Sequence, residues 1–365
     1  MTRTATTRLV FIFLGAASCT ARSETHEIDR LAERADAVVV GGVQSGFQSG
    51  HSVTFVLSVD RTLKGELSPG STASASWRSA MSANKGLKGN YGLWFLAKAD
   101  VGLWTLLGVL QGQYPFEFAY FPVPKGSVPA IASTSPPVTV SDHIAVELAS
   151  ALEVYTDHTQ LSRLATGLLG IGDSAVTQGL YQTLRTSTDP SLKFVGVSGL
   201  LRSNDISVLA DVANDIELIP NLHAVGLIPA VCGVRNPLAT PYLGKIAAST
   251  DEELQRCAAM ALDYIHTRDT LPFLAVLLAS GDPATREYAI QGLSRFVDNL
   301  PIQNQSNVLN GGALTAQGPT PYRTPETDEY SLSRGWLAGR DDTPYLDFWK
   351  SWWAATGSKI AASAP

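Results

Sequence analysis

Three cysteines and six histidines give this chain of 365 residues most of its chemical reach. His26, His51, His143, His158, His223 and His266 are scattered along it. No two of them stand four apart, the spacing that turns two imidazoles toward one metal ion on a helix. His-Glu-x-x-His and Cys-x-x-Cys are both absent from the sequence. So are a phosphate loop ending in Gly-Lys-Ser/Thr and a Gly-x-Ser-x-Gly nucleophile elbow. Asp341-Asp342 and Asp251-Glu252-Glu253 are carboxylate runs. The second falls in a predicted first helical turn, where negative charge favours the helix dipole. His158 and His266 fall at predicted helix ends, where an imidazole pairs with the backbone. The residue pattern therefore predicts no catalytic, cofactor-binding or metal-binding residues. Cys19 differs by position, since it directly follows the small residues Gly15-Ala16-Ala17-Ser18.

The elements around these residues follow a step of 31. Asp189-Pro190 and Asp282-Pro283 open two apolar segments 93 residues apart, three steps of 31, and Asp251, Pro220 and His158 fall on the same grid. One register reads Leu169, Leu200, Val231, Leu262, Leu293, and the register before it Leu168, Gly199, Ala230, Ala261, Gly292. A third reads Ala165, Gly196, Leu227, Ala258, Ala289. Large residues beside small ones suit helices packed closely on the next copy. Second helices are marked by Pro241 and Pro272, with Leu243 matching Leu274 and Ile246 matching Leu277; proline costs nothing at a helix start. Asp189 and Asp282 are expected to cap their helices, and Lys193 and Arg286, four residues on, to pair with those carboxylates. Such a period predicts a stacked helical array over residues 142–300.

The arrangement Asp-Pro-x-x-Arg, followed by Ala and Leu at fixed offsets, resembles the short bacterial HEAT-like repeat also found in phycobilin lyases. The resemblance covers residues 158–298. It is strongest in Asp251–Ala279 and Asp282–Val297, and faint at Pro220–Val231, which has no capping Asp or basic partner. It implies an α-α superhelical solenoid; the lyase activity belongs to a small branch and is not implied.

Apolar residues make up 45% of the chain and charged ones 16%, which is ample material for cores. A net charge of −6 argues against nucleic acid as a partner, since phosphate binding needs a basic surface. Arg3 and Arg8, then Leu9 to Leu14, then small residues, read as an export signal over residues 1–22. The apolar run is too short to span a bilayer. With the small residues before it, Cys19 resembles the lipobox cysteine of bacterial lipoproteins, which implies lipid attachment there; Ala16 departs from the preferred Leu. Plain cleavage nearby, or after Ala21, is the alternative. Cys232 and Cys257 lie six grid positions apart on adjacent first helices. For in-register helices that is about 9 Å along the axis and about 8–10 Å between axes. A disulfide needs Cα atoms within about 7 Å, so two free buried thiols are expected.

Residues 28–110 read differently. A short helix, Ile28 to Arg34, precedes five candidate strands: Ala37–Val40 ended by Gly41-Gly42, Ser52–Asp60, Ser71–Trp77, Tyr91–Ala97 and Gly102–Leu107, the last two joined by a turn at Ala99-Asp100. They suit a small barrel or sandwich. Ala35-Asp36-Ala37-Val38-Val39-Val40-Gly41, Val59-Asp60-Arg61-Thr62-Leu63-Lys64-Gly65, and Gly89, Tyr91, Leu93, Phe95 resemble netrin-like, metalloprotease-inhibitor-type OB domains of exported bacterial proteins. The resemblance implies an OB-like β-barrel. Inhibition would need a free mature amine at Cys19 and a disulfide within the domain; this domain lacks a partner cysteine. Arg61 and Lys64 are expected to be solvated at a hairpin end.

Residues 111–141 are rich in proline and aromatics and read as an extended connector. Phe116, Phe118, Tyr120 and Phe121 form either a seal between domains or a binding strip. A helix from Ile144 to Tyr155 caps the first end of the array. Residues 301–341 are polar and irregular, either functional or disordered. Tyr345, Phe348, Trp349 and Trp352 share one helical face, with Trp353 beside it. Phe348-Trp349-Lys350-Ser351-Trp352-Trp353 resembles the ending of exported HEAT-like proteins. The Trp-rich helix, residues 342–361, is expected to close the array, with a ligand platform as the alternative.

The expected protein is exported, periplasmic or extracellular, and attached to a membrane only if Cys19 is lipidated. It is expected to be a monomeric, non-catalytic scaffold that binds a protein or peptide through its helical surface and needs no cofactor. The alternatives are an extracytoplasmic metalloprotease inhibitor and an enzyme with an unrecognised site.

Overall fold

The computed structural model describes residues 27–49, 52–78, 89–99, 102–107, 109–110, 117–118, 120–126, 135–215, 226–297, 322–332, 337 and 340–362. Helix α1 (Glu27–Arg34) leads into β1 (Ala37–Ser49), β2 (Ser52–Lys64), β3 (Thr72–Arg78), β4 (Tyr91–Lys98) and β5 (Leu103–Leu106). The order β1-β2-β3-β5-β4 closes through β1–β4 pairing. All neighbours are antiparallel except β3 and β5, so this is a closed, mixed five-stranded barrel. Short strands β6 (Val109–Leu110), β7 (Glu117–Phe118) and β8 (Phe121–Pro122) follow; β6 pairs with β7, and β8 adds to β4.

The glycines Gly41 and Gly42 do not end β1, which runs on to Ser49. A Cβ on Gly41 would lie 1.9 Å from the Ser58 carbonyl oxygen. Glycine here admits a close approach of β2 at a register shift, one of its established uses inside strands. Arg61 and Lys64 are bonded, not merely solvated. Lys64 Nζ donates to the carbonyls of Ala32 and Glu33 at the end of α1, where a cation suits the helix dipole. Arg61 makes a two-pronged pair with Glu147, at 2.9 and 2.7 Å.

Glu147 belongs to α2 (Val140–Leu152), which starts at a Thr139–Asp142 capping box. The helices α3 (His158–Leu169), α5 (Pro190–Arg202), α7 (Leu227–Cys232), α9 (Glu252–Ile265) and α11 (Pro283–Arg295) then pack in chain order as one layer. The helices α4 (Ala175–Arg185), α6 (Leu209–Asp215), α8 (Thr240–Ala247) and α10 (Leu271–Leu277) alternate with them as a second layer. Beyond them come α12 (Pro325–Glu329), α13 (Thr343–Trp352), a π-helical turn at Trp353–Gly357, and α14 (Ser358–Ala362). Leu169, Leu200, Val231, Leu262 and Leu293 are all buried. The small register sits at close approaches: a Cβ on Gly199 would meet the Tyr181 ring at 2.3 Å, and one on Gly292 would meet Leu274 at 2.7 Å.

Asp189, Asp251 and Asp282 cap their helices as their position predicts. The ion pairs differ from the expected i, i+4 pattern. Lys193 reaches Asp215, Arg256 holds Asp282 through two bonds, and Arg286 reaches Asp342. The Asp282 oxygen is already taken by the amide and hydroxyl of Thr285. Its remaining lone pairs face the preceding unit, so Arg256 pairs with it between units, whereas Lys193–Asp215 joins the two helices of one unit.

The two thiols expected to be free are joined: Cys232 and Cys257 form a disulfide with Cα atoms 4.4 Å apart. The in-register geometry fails because α7 is only six residues long and starts after left-handed Gly226 with no side-chain cap. It does not lie beside α9 as a full-length, aligned neighbour.

Two predictions follow from this packing. Arg61→Ala should cost about 2 kcal/mol in urea unfolding, because it leaves buried Glu147 unpaired, and the double variant R61A/E147L should recover most of it. Loss of the disulfide in C232S/C257S should cost about 3 kcal/mol for a loop of this size, read as a lower urea midpoint. Alkylation of the unreduced, denatured protein should leave Cys232 and Cys257 unmodified.

Candidate functional site

Cys19, the proposed lipid site, lies outside the described residues, as do His26, His51, His223 and Phe116. His143 and His158 are exposed and far apart in sequence. Among the described residues no group of three His, Cys, Asp or Glu is placed to hold a metal ion. Asp251 and Asp342 are engaged at helix starts, and Asp341 accepts from the Thr343 amide.

Two aromatic residues of the connector, Tyr120 and Phe121, sit in seams, and the Phe118 side chain lies outside the described set. Tyr120 stacks on Trp94 at 4.6 Å, and the Arg163 guanidinium lies over its ring, 5.8 Å from the centroid. Phe121 is buried against Gly167 of α3 and edge-on to Phe95. At the far end Trp349 and Trp352 enter the main core, and Trp349 Nε1 donates to the Tyr330 carbonyl. Phe348 and Tyr345 turn instead to Tyr330, stacked and edge-on respectively. An open groove of about 400 Å³ runs past Tyr322, Thr324, Glu326, Phe348 and Trp352. Thr324 and Thr327 spend their hydroxyls on each other's backbone in a capping box.

The densest unexplained polar chemistry lies at the last turn of α9. Asp263 is 1% exposed, and its Oδ1 lies 2.8 Å from Arg295 Nε, an ion pair by distance whose angle does not make a hydrogen bond. The next residue, Tyr264, has the Arg235 guanidinium carbon 4.1 Å and that of Arg295 5.3 Å from its ring centroid. Arg235 is fixed by donating to the carbonyls of Cys232 and Val234. His266 caps α9 in the left-handed region, at φ 48°, and packs its ring against Phe296 at 4.5 Å. Neither ring nitrogen has a hydrogen-bond partner, contrary to the backbone pairing expected for this residue, and Thr267 Oγ1 also lacks one. Buried polar atoms are normally satisfied, so this turn stands apart.

Burial, aided by Arg295, pushes the His266 imidazole down to about 4. Burial outweighs the two arginines at Asp263 and pushes its carboxyl up to about 6. Two guanidinium groups, those of Arg295 and Arg235, thus bear on this one carboxylate. The arrangement has fixed charges and a ring face, which suits binding rather than bond-making. Sequence reasoning missed these residues, although a signal was present. The register of Asp263 reads Leu201, Cys232, Asp263, Ser294, and only one unit places a charge there.

No family model, curated protein or solved structure matches this chain.

The two buried groups have opposite linkage. His266 is neutral in the fold down to about pH 4, while the unfolded chain takes up its proton near 6.5. Its contribution to stability is therefore lost as pH falls from 6.5 to 4. Asp263 holds its proton up to about pH 6 in the fold against 3.8 unfolded, so it contributes stability as pH falls through that window. Each is worth about 3 kcal/mol, and the two offset. Expected in urea titrations is that His266→Asn gains stability relative to the parent between pH 6.5 and 4. Asp263→Asn should lose stability relative to the parent over the same range.

Proposed function

We propose that this is an exported, non-catalytic binding protein whose HEAT-like helical stack presents a surface to a protein or peptide partner. The observation that carries the reading is the order of the first-layer helices: α3, α5, α7, α9 and α11 pack successively, each on the next. Helices stacked that way line one extended face with residues from several units, the geometry repeat proteins use for recognition. The OB-like barrel joins the same body and positions its first end. Export draws support from the leader-like N-terminus and from the Cys232–Cys257 disulfide, a bond that persists in oxidising compartments. Among the described residues, no helix is long and apolar enough to cross a membrane. Membrane attachment therefore rests on lipid at Cys19 in this reading. The protein acts as a monomer and needs no cofactor or metal.

The test is crosslinking in intact cells followed by identification of captured proteins. Deleting the helices would expose the apolar core they share with the barrel, so point variants are used instead. A reproducible partner, lost on charge reversal at exposed first-layer positions and kept on reversal at exposed barrel positions such as Glu66, is the expected result. Capture that ignores every helical variant would sink the reading.

A further inference from the structure

We propose that the Cys232–Cys257 disulfide is a redox latch, closed in the oxidised protein and opened by a dithiol reductant, that controls how the third unit sits on the fourth. It rests on the partner-binding reading for its biological use, as regulation of the same helical face, but not for its chemistry.

The first layer ties its joints by different means, and two pairs of repeat positions show it. At the joint of α9 and α11 those positions hold Arg256 with Asp282 and Asp263 with Arg295, two ion pairs. One step of 31 earlier, at the joint of α7 and α9, they hold Val225 with Asp251 and Cys232 with Tyr264. Neither combination can form an ion pair, and Cys232 stands where the next unit places Asp263. Its bond goes to Cys257 on α9 instead. A further step back the leading positions hold Phe194 and Leu201, both buried. At these positions the array thus has an apolar joint, a covalent joint and an ionic joint in succession. Of the three, the covalent one is broken and remade by electron transfer at constant pH.

The latched helix is the one least able to hold its own place. It has six residues, against 14 in α9 and 13 in α11, and a helix so short is not stable by itself. It starts at left-handed Gly226 with no side-chain cap, where α9 and α11 start at capping aspartates. Cys232 is half-buried while Cys257 is buried at 4% exposure, so a reductant approaches from the Cys232 side. One thiolate of the dithiol attacks Cys232 Sγ, the S–S bond breaks, and Cys257 departs as a thiolate that takes up a proton. The second thiol of the reductant gives up its proton and closes on the first, expelling Cys232 as a thiolate that is protonated in turn. Two electrons and two protons pass to the protein, and the dithiol becomes a disulfide. Cys257 then remains as a small buried hydrophobe, and the end of α7 loses its covalent hold. Arg235 moves with it, because it donates to the Cys232 and Val234 carbonyls while lying on the Tyr264 ring.

The experiment reduces the full-length protein with dithiothreitol at neutral pH without denaturant. Alkylation and mass analysis follow the thiols, and deuterium exchange follows the backbone. Expected is complete reduction of the folded protein, at a rate that urea below the unfolding transition changes less than twofold. Circular dichroism should be retained. Amides within residues 227–233 should exchange about tenfold faster than in the oxidised protein, a local opening, while those of α3 and α11 change less than twofold. Reoxidation with oxidised glutathione should restore slow exchange. Reduction that proceeds only as fast as the chain unfolds overturns the proposal. So does a reduced protein whose 227–233 amides exchange as before, or whose whole stack exchanges faster together. In cells, capture of a partner should fall at least fivefold in C232S/C257S that keeps the circular dichroism of the parent; if that variant does not fold, exchange in the reduced parent decides. A partner captured equally by the parent and the folded variant refutes the latch and leaves the binding reading standing. Local opening on reduction without any captured partner does the reverse.

Discussion

The first part of strand β1, residues 37–41, and the middle of β4 are buried on both faces, and the rest of the structure depends on that constraint. Ala37, Val39, Trp94 and Leu96 point into the barrel, while Val38, Val40, Leu93 and Phe95 point out of it into the helices. A strand whose two faces are both apolar cannot remain a free barrel wall; it must be covered. Here α1, α2 and α3 cover it, and the apolar contact continues without a break to Ile360. Two architectures of unlike period, two residues in the barrel and 3.6 in the helices, therefore share one core. Arg61 and Glu147 pair at its margin, and their directional bonds fix how α2 sits on β2. Apolar contact alone is non-directional and would leave that angle loose.

The helical part shows how stacking is enforced between units rather than within them. Close approach at Gly199, Gly244 and Gly292 brings side chains of a neighbouring unit onto bare backbone, and at Gly196 backbone meets backbone. A single added methyl at such positions overpacks the contact. Ion pairs Arg256–Asp282 and Arg286–Asp342 then tie a carboxylate at a helix start to a different element, while Lys193–Asp215 joins α5 to α6 within one unit. The third unit has the weakest local signals, with a short α7 and no side-chain cap, and it carries the covalent cross-link to the fourth. A disulfide acts mainly on the unfolded chain, so it can hold a unit whose own helix gives little.

Much of this was legible in the sequence because periodicity reports burial. The repeat registers, the proline helix starts and the Asp caps all follow from local chemistry. So do three of the five barrel strands, β3, β4 and β5, to within a residue or two of their ends, while β1 and β2 run on past theirs. What was not legible depended on approach distances. Gly41 reads as a strand end until β2 is seen passing 1.9 Å from where its Cβ would be. Cys232 and Cys257 read as distant because an ideal grid assumes equal helices, and α7 is not equal. Lys193 and Arg286 read as local partners because spacing along one helix is visible and the neighbouring helix is not. The Asp263 cluster failed to register for a related reason. Its arginines come from residues 28 before and 32 after it, close to one repeat either way, and only the stack makes them adjacent.

That adjacency bears on why the cluster persists. Burying a carboxylate under an arginine is seldom a gain over apolar packing of similar volume, and the unsatisfied His266 and Thr267 atoms add cost. The neighbouring units show that leucine, cysteine or serine serves the same register. A stack built only for stability would have repeated one of those choices in the fourth unit. Asp263 instead sets a charged partner 2.8 Å from Arg295 of the next unit, beside the Tyr264 ring that both Arg235 and Arg295 approach. The cost goes into an ion pair between the fourth and fifth units, added to the close approaches and the disulfide that already join neighbouring units.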